Sequence, residues 1–405
     1  MAVCVAGCDQ KDAGSDRARL IVAITPGALE RPIYRAAFDR FRAGHPDIAV
    51  EVIEVPGNYY QKILVMIAGG NSPDLMWMGQ GVGEFADRGT LLDISDRIAG
   101  TPGITEIPPA ALNTYRFRGK QYGVPFGIDT QFIVYNRELF RRASLPFPSR
   151  DWDFKQFMDA AQKLTIDRDG DGRPEQFGFC GELDASLFKA CFIEPESGKP
   201  TCNTPEMLKY LHTNLDLYHR HKVAVRGKEA GEGTLDDNLT LFRQGRVAMM
   251  LMMTWDLPFI RERLSDMDWD VTGNPRVDRQ AQWGSTQAMV ISSRTRYPDQ
   301  AWQLCQEFLG EEFQSQMAPY VIPSNQRIAS GILHEQRQPP SADALLSAAR
   351  NISVDPRVPH LSELIKYWYD ARESVWCGQS TPEEAMSRAD AQIHRASREF
   401  EGANQ

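Results

Sequence analysis

The residues with the clearest chemical spacing lie between Asp167 and Glu175, where the run DRDGDGRPE sets carboxylates at loop positions one, three, five and nine. Hard cations such as Ca2+ are held by oxygen donors at this spacing, with a glycine at position six for the turn and a main-chain carbonyl at position seven. Gly172 and Arg173 occupy those places, so the candidate ligands are Asp167, Asp169, Asp171, Arg173 and Glu175. Gly178 stands at position twelve, where a bidentate glutamate normally closes the shell, and Glu175 or Glu182 would have to complete it. The competing reading is a metal-free Asp/Gly hairpin between Leu164-Thr165-Ile166 and Phe177-Gly178-Phe179. Either way the expected role is structural, a Ca2+ site remote from any ligand, and no cofactor is required.

A second pattern is an aromatic ring beside a hydrogen-bonding side chain. Trp255 follows the apolar run Val247–Met253 and is flanked by Thr254 and Asp256, while Trp368 and Arg372 share a helix face at i, i+4. Flat rings suit the apolar face of a ligand, and carboxylates or guanidinium groups suit its polar groups. Each residue has a plainer alternative: a core tryptophan, with Arg372 paired to Asp370 or Glu373.

Catalysis finds no support. The chain carries no Gly-x-Ser-x-Gly elbow, no His-Glu-x-x-His and no phosphate loop. Its carboxylates have no spacing that selects a glycosidase pair, and its seven histidines are scattered, with His219 and His221 expected on a solvated helix face. A net charge of −9 argues against nucleic acid as a partner. With 42% apolar and 24% charged residues over 405 positions, the chain can bury a core and is long for a single one. Its longest apolar run, Val247–Met253, is far too short to span a bilayer.

The elements that must position these residues alternate. Arg19–Thr25 reads as a strand, Ile33–Phe41 as a helix, Ile48–Val55 as a strand, Tyr59–Ala68 as a helix and Leu75–Met78 as a strand ending on Gly79-Gln80-Gly81. Such alternation predicts a parallel sheet covered on both faces, with ligands beyond the carboxyl ends of its strands. The loops after Thr25, Val55 and Met78 then face one cleft. Asp74 is expected to accept backbone N–H bonds at the turn into the third strand. Gly119–Pro125 reads as a turn and short strand, Phe126–Asp129 as a hinge, and Thr130–Asn136 as the first strand of a second lobe.

Five fragments, YRAAFDRFRAGHPDIAVEV, IAGGNSPDLMWMG, GKQYGVPFGIDTQFIVYNRELF, FRQGRVAMMLMMTWDL and GSTQAMVISSRTRYPDQAWQLCQEF, occur in the order found in family 1 extracellular solute-binding proteins of bacterial ABC importers, which the chain resembles. The resemblance implies an α/β, two-lobed periplasmic binding protein fold (type II) with an interlobe cleft and multiple strand crossovers. It divides the chain into a leader remnant and tether over 1–18, a first lobe over 19–126 and 276–325, and a second, mostly helical lobe over 127–275 and 326–405. It also implies a carbohydrate or related polyol as ligand, an ABC permease in the inner membrane as partner, and a monomer. The cleft positions it carries over are Tyr59 or Tyr60, Trp77, Gln80, Asp129, Trp255, Asp256, Gly284, Trp368 and Arg372. Gly79-Gln80-Gly81 is less charged than is usual there. A non-sugar solute such as a phosphoglycerol derivative, and a secreted carbohydrate-active enzyme, are the alternatives.

Val5-Ala6-Gly7-Cys8 resembles a lipobox, with Cys8 acylated and Asp9–Asp16 as a polar tether, although no basic or long apolar stretch precedes it. A periplasmic or cell-surface location is therefore expected. Of the remaining cysteines, Cys180, Cys191 and Cys202 crowd one segment and could supply a disulfide, whereas Cys305 and Cys377 read equally as buried apolar residues.

Overall fold

A computed structural model describes residues 17–403 apart from 80, 196, 226–233 and 336–338. Its strands are β1 (Ala18–Ile24), β2 (Ile48–Glu54), β3 (Leu75–Met78), β4 (Arg116–Phe117), β5 (Lys120–Gln121), β6 (Gly123–Asn136), β7 (Phe177–Cys180), β8 (Ala224–Val225), β9 (Val247–Met253), β10 (Trp269–Thr272), β11 (Gln282–Ile291), β12 (Ile322–Pro323) and β13 (Ile352–Ser353). The first lobe begins as the sequence alternation predicts. β1 pairs in parallel with β2 and β3, and the helices Arg31–Gly44 and Tyr59–Ala68 connect them. The sheet is not wholly parallel, however, because β11 joins β3 antiparallel and β6 then pairs antiparallel with β11.

The expected hinge at Phe126–Asp129 is not a break. β6 is one strand of 14 residues, all buried except Gln131. Through Thr130 it pairs with β11, and from Gln131 onward with β9 and β10. Its proline is accommodated by a bulge: Ala288 opposes Pro125 and Gln287 opposes Gly127, which leaves Phe126 as the extra residue. The residue after β12 supports the bulge, with Ser324 donating from its amide to the Phe126 carbonyl at 3.1 Å and from its hydroxyl to the Pro125 carbonyl at 2.6 Å. A single strand therefore runs from one sheet into the other, and the lobes meet where its partners change.

Around β9 and β7 the second sheet is covered by the helices Phe154–Lys163, Pro205–Leu215, Leu361–Trp376 and Pro382–Ala403. Helix Gln326–Glu335 packs on helix Glu311–Met317 and β12, and helix Asp343–Arg350 packs on β6 where the two sheets join. Apolar side chains form three clusters: one behind Tyr59 and Met76 in the first lobe, one around Phe157 and Trp368 in the second, and one that runs along β6 from Phe126 to Val134.

Two local expectations hold. Asp74 accepts the Ile21 amide at 2.8 Å and the Thr295 hydroxyl at 2.6 Å, tying the start of β3 to its neighbours. His219 and His221 are exposed at the end of a π-helical turn, Asp216–Arg220. A disulfide within the crowded cysteine segment is not formed: Cys180, Cys191, Cys202, Cys305 and Cys377 are all free thiols. Cys202 instead lies buried, its amide bonded to Asp390 at 3.0 Å.

Candidate ligand cleft

Residue Gly284 shows how closely the lobes are joined. A Cβ there would stand 2.5 Å from the Asp129 carbonyl oxygen and 2.8 Å from Ile352 Cγ2, so the glycine permits β6, β11 and β13 to approach rather than holding a ligand itself. Beside it, Asp129 is almost fully buried. Its carboxylate accepts from Thr254 Oγ1 at 3.2 Å and from Gln287 Nε2 at 2.9 Å. Burial pushes its pKa up to about 7, with further upward pressure from Glu30 and Asp256 and partial relief from the two hydrogen bonds. Both acceptor oxygens are thus already engaged by protein donors.

The first-lobe aromatics are also engaged. Tyr59 is buried and donates its hydroxyl to the Ala23 carbonyl at 3.0 Å, whereas the Tyr60 hydroxyl accepts the Gly79 amide at 3.0 Å in the loop after β3. Of the pair, Tyr59 packs and Tyr60 reaches the loop that faces the cleft. Trp77 lies edge-on to Tyr59 at 5.9 Å and folds over Gly79, where a Cβ would come within 2.8 Å of its ring. Gln80 and Cys8 fall outside the described residues.

A different picture holds in the second lobe. There a cavity of about 390 Å3 is lined by Glu182, Asp184, Trp283, Asp355, Trp368, Tyr369 and Arg372, among others. Tyr369 is 51% exposed, its ring largely uncovered. Trp283 donates its indole N–H to Asp355 at 3.2 Å and meets the exposed Trp255 edge-on at 6.4 Å. Trp368 lines the same cavity but is only 7% exposed, stacked at 6.1 Å on Phe192 and tilted against Tyr210. Asp256 accepts the Met253 amide at 3.1 Å and so caps its own turn.

Arg372 pairs with neither Asp370 nor Glu373. It grips Glu182 through two guanidinium nitrogens and also donates to the Tyr210 hydroxyl at 3.1 Å. The paired carboxylate holds the guanidinium firmly charged despite burial. This pairing also removes Glu182 from the acidic loop, where it was one of two expected closing ligands.

Trp283, Tyr369, Asp184 and Asp355 were not among the expected site residues. For Trp283 a signal existed: Trp283, Ser285 and Gln287 are the half-buried positions of a strand whose intervening residues are buried, a period-two face. The segment Val354–Pro356 continues from this cavity into a narrow gap lined by Tyr115, Gly284 and Ser285 of the first lobe. A larger groove of about 880 Å3 lies beyond Arg357. Its rings are already covered, Phe117 by Arg118 and Phe400 by His360, so the smaller cavity is the better ligand site.

The acidic loop is a separate object. Asp167, Asp169 and Asp171 are exposed, and one ligand atom from each lies within 4.8 Å of the others. The same carboxylates turn the chain: Asp167 accepts from Gly170 and Gly172, Asp169 from Asp171, Asp171 from Arg173, and Glu175 from Arg168. The flanking Ile166–Gln176 bridge closes the hairpin.

Two α/β lobes joined by a shared strand, with an aromatic and charged cavity in the second lobe beside their junction, define the two-lobed class of solute-binding proteins. The chain belongs to the bacterial extracellular solute-binding protein family, whose profile matches residues 36–333. A putative binding protein of Brucella abortus is 24% identical over 387 residues, covering 89% of each chain. A maltotriose-binding protein of Pyrococcus abyssi is 20% identical over 309 residues, covering 74% of this chain and 64% of that one. Among solved structures, an ABC substrate-binding protein of Listeria monocytogenes in complex with cycloalternan has a TM-score of 0.77 at 22% identity, covering 94% of this chain and 99% of that one. The family is one of binding proteins rather than enzymes. Among the described residues no helix is long and apolar enough to cross a membrane.

Proposed function

We propose that this chain is the solute-capturing component of a bacterial ABC importer and that its solute is a carbohydrate held in the second-lobe cavity. The observation that carries the reading is the half-exposed Tyr369 ring in the cavity that Trp283 also lines, together with Glu182, Asp184, Asp355 and Arg372. A sugar's C–H face lies on the rings while its hydroxyls pair with the charged groups. Relatives named for maltotriose and cycloalternan support this choice. Trp255 extends the aromatic surface, and Trp77 and Tyr60 approach from the first lobe when the cleft closes. Ligand that bridges the lobes gains contacts only in the closed state and so shifts the population toward it, which the permease then reads. A phosphorylated solute is disfavoured because the cavity wall offers carboxylates where a phosphate needs cations.

No chemistry is assigned to the carboxylates, so every sugar should be returned uncleaved. The test is a thermal-shift screen over mono- and oligosaccharides with chromatography of the products. A ligand at about 100 times its Kd adds roughly 2.7 kcal/mol of stability. Cleavage of a sugar would make the chain a carbohydrate-active enzyme, and a shift with phosphoglycerol alone would make it a different receptor.

Two further parts belong to the same reading. The loop from Asp167 to Glu175 binds a structural Ca2+: its clustered carboxylates and the Arg173 carbonyl form an all-oxygen donor set suited to a hard cation, remote from the cleft. Acylation of Cys8 tethers a monomeric receptor to the outer face of the inner membrane, a point that intact mass spectrometry of membrane-extracted protein tests directly.

A further inference from the structure

The charge of the cavity is lopsided. Three carboxylates line it, Glu182, Asp184 and Asp355, against one cationic side chain, Arg372. That guanidinium is committed to Glu182 and Tyr210. Asp184 accepts the Ser186 amide at 2.8 Å and Asp355 accepts the Trp283 indole at 3.2 Å, but among the described residues neither forms a salt bridge. Behind the wall, Arg279 lowers Asp184 only weakly and is itself bonded to the Ser186 carbonyl at 2.6 Å. Burial raises both carboxyls above their usual range, Asp184 further through Glu182 and Asp355 further through Asp184. Across the cleft the field has the same sign, since Glu30 and Asp256 both act on Asp129.

A wall of this kind can accept hydrogen bonds from a neutral sugar's hydroxyls, but such a sugar leaves the wall's negative charge unanswered. Each hydroxyl both donates and accepts, and acceptor-only partners leave its own lone pairs unanswered. An ammonium carries three donors, no acceptor and the missing charge. A metal ion is a poorer occupant: only Asp167, Asp169 and Asp171, among the described residues, bring three ligand atoms within 4.8 Å of one another. The three cavity carboxylates do not gather that closely.

We infer that the solute is a sugar bearing a free protonated amino group, with the ammonium between Asp184 and Asp355 and the ring on Tyr369 and Trp283. This rests on the carbohydrate reading above. Calorimetric titration with matched triplets tests it: glucosamine, glucose and N-acetylglucosamine, their galacto counterparts, and the β-1,4 disaccharides carrying amine, hydroxyl or acetamide at C2, alongside neutral malto- and manno-oligosaccharides. The amine member should bind about tenfold or more tightly than its hydroxyl and acetamide partners, with a preference that shrinks as salt is added. Asp184→Asn and Asp355→Asn should each cut that preference by about tenfold, the amine losing more affinity than its hydroxyl partner. Should either variant fail to fold, the wild-type comparison decides alone. An amine that binds no better than its hydroxyl partner, or a neutral oligosaccharide that binds best, overturns the inference and leaves the carbohydrate reading standing. Failure of every sugar to bind overturns both.

Discussion

The acidic loop and the ligand cavity are both built on carboxylates, yet they are opposite kinds of site. Asp167, Asp169 and Asp171 are neighbours in sequence, exposed, and bonded mainly to the backbone of their own turn. Glu182 and Asp184 lie together in the loop after β7, whereas Asp355 comes from the segment before helix Leu361–Trp376, far along the chain; all three are partly withdrawn from water and meet only because the second lobe folds that segment against the loop. A site written in local spacing tolerates solvent and works through geometry. One assembled by the fold works through desolvation, and its energetic stakes are higher.

That difference in stakes is where the comparison can be broken. The largest effect is expected at Trp368, whose ring is packed between Phe192 and Tyr210. Trp368→Ala should cost about 3 to 5 kcal/mol in denaturant unfolding, as a core truncation does. Glu182→Ala strands the partly buried Arg372 and should cost about 3 kcal/mol, whereas Asp169→Ala in the loop should cost well under that. Equal losses from Glu182→Ala and Asp169→Ala would erase the distinction between the two carboxylate sets.

Smaller effects sharpen it. Removing Ca2+ with a chelator should lower Tm by a few degrees, about 1 kcal/mol or more at ordinary metal concentrations, and leave solute affinity unchanged because loop and cavity are separate. Metal-free purified protein with a chelator-insensitive Tm would contradict that. Asp129 gives a change that shows only as pH is varied. Its folded pKa near 7 lies above the ordinary value of 3.8, so the folded state holds the proton more tightly than the unfolded one. Stability from this group is therefore present below about pH 4 and lost as pH rises through about 7. Asp129→Asn should flatten that part of the stability–pH profile, measured by chemical unfolding between pH 4 and 8.

Much of the first lobe was legible because β1 to β3 and their helices keep clean periodicities and end on Pro or Gly. β6 was not, since Pro125 and Gly127 read as a break. Only the bulge opposite Phe126 and the close approach of Val321, 2.6 Å from where a Gly127 side chain would start, explain why the strand runs on. In the site, Trp368 and Arg372 were found by helical spacing, and their partners were not. Arg372 reaches Glu182, 190 residues away, and nothing in local sequence announces such a pair. Tyr369 stood next to a selected residue yet points the exposed ring, because on a helix adjacent positions face different directions.

Calorimetric titration of the best sugar from the screen into wild type and Tyr369→Ala, each with its unfolding curve, tests the central claim most directly. The half-exposed ring should matter to binding and little to folding, so the variant should lose about 2 kcal/mol of affinity, roughly thirtyfold, with stability close to wild type. Undiminished affinity in a folded Tyr369→Ala protein would contradict the claim that the second-lobe cavity holds the solute.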